Sequence, residues 1–146
     1  MTIVLGFDFG TGGVRAGVFD AVTKTMLASA DASYETRYPR PGWAEQSPQD
    51  WIVAMKRAGR EAVERSGRRD IAGVCVATTA STVAIVDKAG LPVAPAILWM
   101  DCRATEEALA TARIDHPVMR YCGGSDAVEW LLPKALFDNQ RQYHVC

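Results

Sequence analysis

The sequence lacks a long hydrophobic run, an excess of charge of one sign and the elements of a secretion signal. Its 146 residues carry a formal net charge of −1, which favours neither nucleic acid nor an anionic membrane as a partner. No apolar stretch approaches the length that spans a bilayer, and the N-terminus has no basic region followed by a cleavage site. We therefore expect a cytoplasmic protein that contacts no nucleic acid and no membrane.

Cysteine and histidine are also scarce. The absence of any C-x-x-C spacing favours reduced thiols in a cytosolic protein over disulfides or a metal site. The four cysteines are Cys75, Cys102, Cys122 and Cys146. His116 and His144 lie in polar or proline-adjacent segments with no serine or cysteine nucleophile assigned to them, and we interpret both as surface residues.

The composition that remains is that of an ordinary globular domain, with 49% hydrophobic and 23% charged residues. Apolar and alternating runs predict strands at 3–8, 14–20 and about 25–34, with buried strands at 71–77 and 83–86. Between them, Ser47 as N-cap and Pro48 at the first position begin a helix that ends at Ser66-Gly67. A partly extended segment at 93–99 and helical patterns at 103–112 and 126–139 follow, the last opened or kinked by Pro133. This order predicts an α/β domain with a mixed sheet.

The turn between the first two predicted strands is suited to binding a phosphate. Its glycines, in the run Gly10-Thr11-Gly12-Gly13, allow backbone N–H groups to approach an anion closely. Thr11 adds a hydroxyl, Arg15 adds a fixed positive charge, and Asp8 is a carboxylate suited to a hydrated magnesium ion. The turn fits neither a Walker A loop nor a dinucleotide fingerprint, because a strand follows it instead of a helix. An ordinary glycine-rich hairpin with a surface aspartate is the alternative.

Five motifs, in order along the chain, give it a family resemblance. They are Gly6-x-Asp8-x-Gly10-Thr11 with Arg15, Pro41-Gly42-Trp43-x-Glu45-Gln46-x-Pro48-x-x-Trp51, Val76-x-x-Thr79-Ala80-Ser81-Thr82-Val83, Ile97-x-Trp99-x-Asp101-x-Arg103 and Gly124-Ser125-x-x-x-Glu129-Trp130-x-x-Pro133-Lys134. Together they resemble the N-terminal part of FGGY-family carbohydrate kinases, on the ribulokinase-like or pentulose-kinase side. The first motif is shared with chaperone-type ATPases of the actin-like fold, but the second and fifth disfavour that class.

The resemblance implies an actin-like (ribonuclease-H-like) fold, with residues 1–146 forming an incomplete N-terminal lobe. The implied activity is ATP-dependent phosphorylation of a sugar hydroxyl, on a ketopentose such as ribulose or on a polyol. Its ligands would be the sugar, ATP and Mg²⁺. A homodimer is compatible with the sequence.

The same resemblance assigns site residues. Asp8 would hold magnesium through water, and Gly10, Thr11 and Gly12 would face the transferred phosphate, with Arg15 offsetting its charge. The turn Thr79-Ala80-Ser81 would line the sugar pocket. Trp99 would give an apolar wall, with a core position as its alternative. Asp101 and Glu129 would accept sugar hydroxyls, with a helix cap and a solvated helix position as their respective alternatives.

The chain departs from the family in three respects. Gly12 stands where many members have Thr or Ser, and Ala77 stands where several have an acid. The catalytic base is expected in a second lobe that has no counterpart here, so no catalytic residue is assigned in this chain. The isolated chain should therefore be inactive. A truncated, non-catalytic lobe that only binds ligands or partners is the second hypothesis.

Overall fold

The computed structural model describes residues 1–142, and the chain divides into two compact units. The first unit comprises Met1–Glu35 with Ser47–Thr79, and the second comprises Thr36–Gln46 with the residues from Ala80 onward. The expectations for His144 and Cys146 lie outside the described residues. Of the cysteines whose side chains are described, Cys75 and Cys102 are free and exposed, which agrees with reduced thiols.

The first unit is a four-stranded mixed sheet covered by one long helix. Its elements are β1 (Ile3–Phe9), β2 (Gly13–Asp20), β3 (Thr25–Ser33), α1 (Pro48–Ser66) and β5 (Ile71–Thr78). The strand numbered β4 (Glu45–Gln46) belongs to the second unit. The strand order is β3-β2-β1-β5, in which β1 pairs antiparallel with β2 and parallel with β5. The predicted mixed sheet, the first three strands and the long helix are thereby confirmed, with shifts of one residue at some ends.

The core of the first unit lies between the sheet and α1. Side chains of alternate strand positions meet a row of small residues on the helix, because residues two apart on a strand share a face. The buried members include Ile3, Phe7, Val14, Ala16 and Val18 on the strands and Ala54, Ala58 and Ala62 on the helix. Gly59 lets the helix approach closely, since a Cβ there would lie 2.8 Å from Cζ of Phe7.

The expected helix ends are confirmed, and one local expectation in this unit is wrong. Ser47 is the N-cap residue of α1, although its side chain makes no hydrogen bond to the helix start, and Gly67 ends the helix in the left-handed conformation at φ +64°. The strand at 71–77 exists as β5 but is not buried, because Val74 and Val76 are 63% and 57% exposed. The physical reason is that α1 packs over β2 and β3, while β5 is the edge of the sheet.

The second unit contains a small sheet and three short helices. Its elements are β4 (Glu45–Gln46), β6 (Ala96–Ile97), α2 (Thr105–Thr111), a 3₁₀ helix at Pro117–Cys122 and α3 (Leu131–Gln142). The strand expected at 83–86 is replaced by isolated bridges of Val83 with Ile97 and Val86 with Pro92. The last helix begins at Leu131 and not near 126, which places Pro133 in the first turn, where no N–H is needed. Among the helices of residues 1–142, none is both long and apolar enough to cross a membrane.

Candidate functional site

The glycine turn is a tight loop that joins β1 to β2. The Gly10 N–H donates to the Gly13 carbonyl at 2.9 Å, which closes the loop. A side chain at Gly13 is impossible without a shift of backbone, since a Cβ there would lie 2.7 Å from the Ala32 carbonyl oxygen. A Cβ at Gly12 would meet nothing within 4 Å. Gly13 is therefore required by the close approach of β3, whereas Gly12 leaves open space in front of the loop.

Three charged side chains form a row beside this turn. In the strand register, Arg15 on β2 is paired with Asp8 on β1 and with Asp31 on β3, so all three project from the same face of the sheet. All three are exposed on this face, which is the one opposite α1. The row borders a surface cavity of about 340 Å³, whose lining consists of Asp8, Gly10, Gly12, Gly13, Val14, Arg15, Asp31, Ala32 and Ser33. The structure thus brings Asp8, Arg15, Gly10 and Gly12 together around one polar cavity.

Tyr34 holds the turn by hydrogen bonds, a role that no motif in the sequence indicates. Its hydroxyl lies 2.5 Å from the Gly10 carbonyl oxygen and 3.0 Å from that of Gly13, while its N–H donates to the Gly12 carbonyl. Its ring packs against Trp51 of α1 with 6.5 Å between centroids. Burial, assisted by the negative charge of Asp8, raises the pKa of Tyr34. The raised pKa favours the protonated phenol, whose hydroxyl donates to the carbonyl oxygens at both ends of the turn.

The residues at the turn fit a hydrated magnesium ion but not a metal held by protein ligands alone. Within the described part of the chain there is no group of three or more His, Cys, Asp or Glu side chains that could hold a metal. Asp8 offers one exposed carboxylate at the mouth of the cavity. Magnesium usually keeps several waters and takes one or two carboxylates together with substrate phosphates. A single aspartate beside a turn whose backbone is unobstructed is compatible with that donor set.

In the second unit, the turn predicted to line a sugar pocket has a strained backbone. Ser81 adopts φ +65°, which is rare for a residue with a side chain. Ala80 beside it is exposed. Thr79, which is half-buried, closes the first unit. Positive φ at a serine persists where neighbouring contacts enforce it, and it is frequent at ligand sites.

Trp99 is placed next to this turn by a hydrogen bond. The backbone N–H of Trp99 donates to Oγ1 of Thr82 at 3.2 Å. Its side chain is 41% exposed, so it is not the fully enclosed core residue that was the alternative interpretation. A partly exposed indole presents an apolar surface, which is what contact with the C–H face of a sugar requires.

Asp101, in contrast, is fully buried and its two oxygens are already engaged. Oδ2 accepts the Ala44 N–H at 2.6 Å and Nη2 of Arg103 at 2.8 Å, and Oδ1 accepts the N–H and Nε of Arg103 at 2.9 Å each. Arg103 also pairs with Glu45 at 2.8 Å and stacks on the Trp43 ring at 3.7 Å. Burial alone would lower the pKa of Arg103, but its hydrogen bonds to both carboxylates raise it. Asp101 therefore anchors the loop around Trp43.

Glu129 is exposed at the turn before α3. Its backbone carbonyl accepts a hydrogen bond of 2.6 Å from Nζ of Lys134. Lys134 is fully buried, and its place in the fifth motif does not indicate this role. A lysine that follows a proline early in a helix gives no sequence signal of burial, since lysine is almost always exposed.

The burial of Lys134 predicts a pH dependence of stability. Burial lowers its pKa from 10.5 to about 8. Between these two values the unfolded chain binds a proton that the folded chain does not, so the free energy of unfolding should rise with pH in this window and be flat below it. We expect the difference in urea midpoint between the natural chain and Lys134→Met to grow from pH 7 to pH 9.5. A constant difference would contradict the prediction.

The mixed sheet of the first unit, with a glycine turn between its first two strands and an acid near the end of β1, is that of the actin-like fold. The model of the N-terminal domain of the FGGY family of carbohydrate kinases matches residues 3–118. The chain belongs to this family, as its five motifs indicated.

Similar proteins agree with this assignment. The glycerol kinase of Roseobacter denitrificans is 38% identical over 106 residues, which are 70% of this chain and 21% of that protein. The xylulose kinase of Lactococcus lactis is 28% identical over 148 aligned positions, 99% of this chain and 29% of that protein. The crystal structure of xylulose kinase from Rhodospirillum rubrum superposes with a TM-score of 0.86 at 24% identity, over 96% of this chain and 29% of that one. The chain thus spans less than a third of the length of these relatives.

Proposed function

We propose that this chain supplies the phosphate-binding loop and part of the sugar pocket of an ATP-dependent carbohydrate kinase. The observation that carries the proposal is the row of Asp8 and Arg15 beside the glycine turn, all bordering one cavity. A cavity that combines a cation, the two carboxylates of Asp8 and Asp31 and unobstructed backbone suits the magnesium-bound γ-phosphate of ATP better than it suits a neutral ligand.

Each residue at the turn has a distinct task in phosphoryl transfer. The glycines admit the phosphate close to the backbone, Thr11 offers a hydroxyl, and Arg15 offsets the charge that develops on the transferred group. Asp8 would hold a magnesium ion through its waters, and the ion, when bound, neutralises phosphate charge. Tyr34 keeps the turn in shape without touching the phosphate, because its hydroxyl is directed at the carbonyls of the turn.

Five residues are assigned to the sugar pocket. Thr79, Ala80 and Ser81 would contact the sugar from one segment, Trp99 would cover its C–H face, and Glu129 would accept a hydroxyl. Asp101 is left out of this set because its oxygens are both engaged. Its buried network supports the loop around Trp43.

We propose a ketopentose as substrate, with a polyol as the nearest alternative. The turn Thr79-Ala80-Ser81 and the pair Glu129-Trp130 resemble ribulokinase-like sequences more than glycerol kinases. The matched relatives include both a glycerol kinase and a xylulose kinase, so the comparison that discriminates is pentulose against glycerol. We further propose that the protein acts in the cytoplasm.

The test is a coupled ADP-release assay with two protein forms. A full-length kinase that carries this chain should turn over D-ribulose or D-xylulose with a higher kcat/KM than glycerol. The 146-residue chain alone should show no sugar-dependent ADP release, since a missing general base costs roughly 10²–10⁴-fold in rate. Glycerol as the best substrate would contradict the substrate class. Absence of turnover with every sugar in the full-length form would favour the non-catalytic alternative.

A further inference from the structure

The amino group of Lys134 is enclosed by backbone carbonyls. Nζ lies 2.7 Å from the Leu98 oxygen, 2.6 Å from that of Glu129, and 3.1 Å from those of Ser81 and Trp99. The side chain has no solvent exposure. An ammonium group has three protons, so four acceptors satisfy all of them with one bond shared. These acceptors offset part of the cost of burying the charge, and the part that remains is the lowered pKa of Lys134.

These carbonyls belong to three segments that are far apart in the sequence. Ser81 is 53 residues from Lys134, Leu98 and Trp99 are 36 and 35 residues away, and Glu129 is five residues away. Each segment carries one of the residues proposed to contact the sugar. The Lys134 side chain is therefore hydrogen-bonded to all three segments that carry the residues proposed to contact the sugar.

The backbone strain at Ser81 lies at one of these contacts. Its φ of +65° is unfavourable for serine, and such a conformation is kept only where surrounding contacts enforce it. The bond from Nζ to the Ser81 carbonyl is such a contact. A hydrophobic side chain in place of Lys134 would fill the space but leave four carbonyls without this donor.

We propose that Lys134 is a positioning residue of the sugar pocket, whose buried amino group holds the Ser81 turn, the Leu98–Trp99 segment and the Glu129 turn in one arrangement. This inference rests on the proposed function, since it assigns these segments to the sugar. It adds a residue that touches no substrate itself and acts through the backbone of those that do.

Residue-resolved amide exchange on the 146-residue chain tests the positioning role. In Lys134→Met, the N–H groups of Trp99 and Asp101 should exchange at least about tenfold faster, while that of Ala112 at the end of α2 changes little. Lys134→Arg, which keeps donors and charge, should restore part of the protection. Lys88→Met is the matched control, because Lys88 is exposed in the same unit. Unchanged exchange at Trp99 would overturn the proposal, and so would an equal increase at Ala112, which indicates general loss of stability.

Kinetics of a full-length kinase that carries this chain supply the second measurement. Lys134→Met should raise KM for the sugar by about tenfold or more and leave KM for ATP nearly unchanged. A merely stabilising lysine would lower the amount of active enzyme and move neither constant, and that result would overturn the proposal. If the unmodified enzyme has no sugar turnover, the proposed function fails, and the exchange experiment still decides whether Lys134 positions the three segments.

Discussion

Replacing Asp101 with alanine should destabilise the second unit by about 3–5 kcal/mol, the usual effect of removing one partner of a buried ion pair. Asp101 has no solvent exposure, and the side chain of its partner Arg103 is only 5% exposed. The substitution would leave the guanidinium with Glu45 alone and would remove the acceptor of the Ala44 N–H. Urea denaturation followed by tryptophan fluorescence measures the loss.

Two further variants make this prediction specific. Asp101→Asn keeps the shape and one acceptor oxygen, so it should fall between alanine and the natural residue. Asp70→Ala is the control, because Asp70 pairs with Arg68 on the surface, where an ion pair contributes little. If Asp101→Ala unfolds at the same urea concentration as Asp70→Ala, the buried network of Asp101 and Arg103 does not stabilise the loop around Trp43.

Asp8→Ala in a full-length kinase that carries this chain should reduce kcat on the order of 10³-fold, because loss of a metal-positioning carboxylate removes several kcal/mol of transition-state stabilisation. Binding of the sugar should be nearly unaffected, since Asp8 lies beside the glycine turn and not among the residues proposed to contact the sugar. Steady-state kinetics over a magnesium titration, together with the KM for sugar, provide the measurement.

The matched control is the other carboxylate of the row. Asp31 faces the same cavity from the far side of Arg15, but it lies on β3 and does not lead into the turn. Asp31→Ala should therefore retain most of the activity. An equal loss in both variants would mean that the total negative charge beside Arg15 matters and not the place of Asp8. Near-normal kcat in Asp8→Ala would refute the assignment.

The predictable part of this fold is the part in which local pattern and tertiary contacts agree. In β1, β2 and β3, every second side chain packs against α1, so the apolar alternation of the sequence matches the core. The helix itself begins with Pro48 and ends before Gly67. The segment at 83–86 is as apolar as a strand, yet it forms only isolated bridges, because its pairing is decided by Ile97 and Pro92 farther along the chain. Periodicity does not contain that information.

The candidate site divides in the same way. Asp8, Gly10 and Arg15 are adjacent in sequence, so the motif alone predicts that they meet. The tasks of Tyr34 and Lys134 could not be predicted, since each acts on carbonyls that are 21 or more residues away, apart from the local bond of Lys134 to Glu129. Every residue has a backbone carbonyl, so residue type does not indicate which carbonyl accepts a given hydrogen bond. Asp101 fits a motif but is buried, and burial is a property of the fold.

The order of strands in the first unit has a consequence for how the chain folds. β1, β2 and β3 pair with their immediate neighbours in sequence, and α1, which packs over β2 and β3, follows after a segment that contains β4. Contacts between near neighbours close small loops and form early, whereas β5 must return past α1 to pair in parallel with β1. We expect β1, β2, β3 and α1 to assemble first. The glycine turn would then be complete before β5 is added to the sheet.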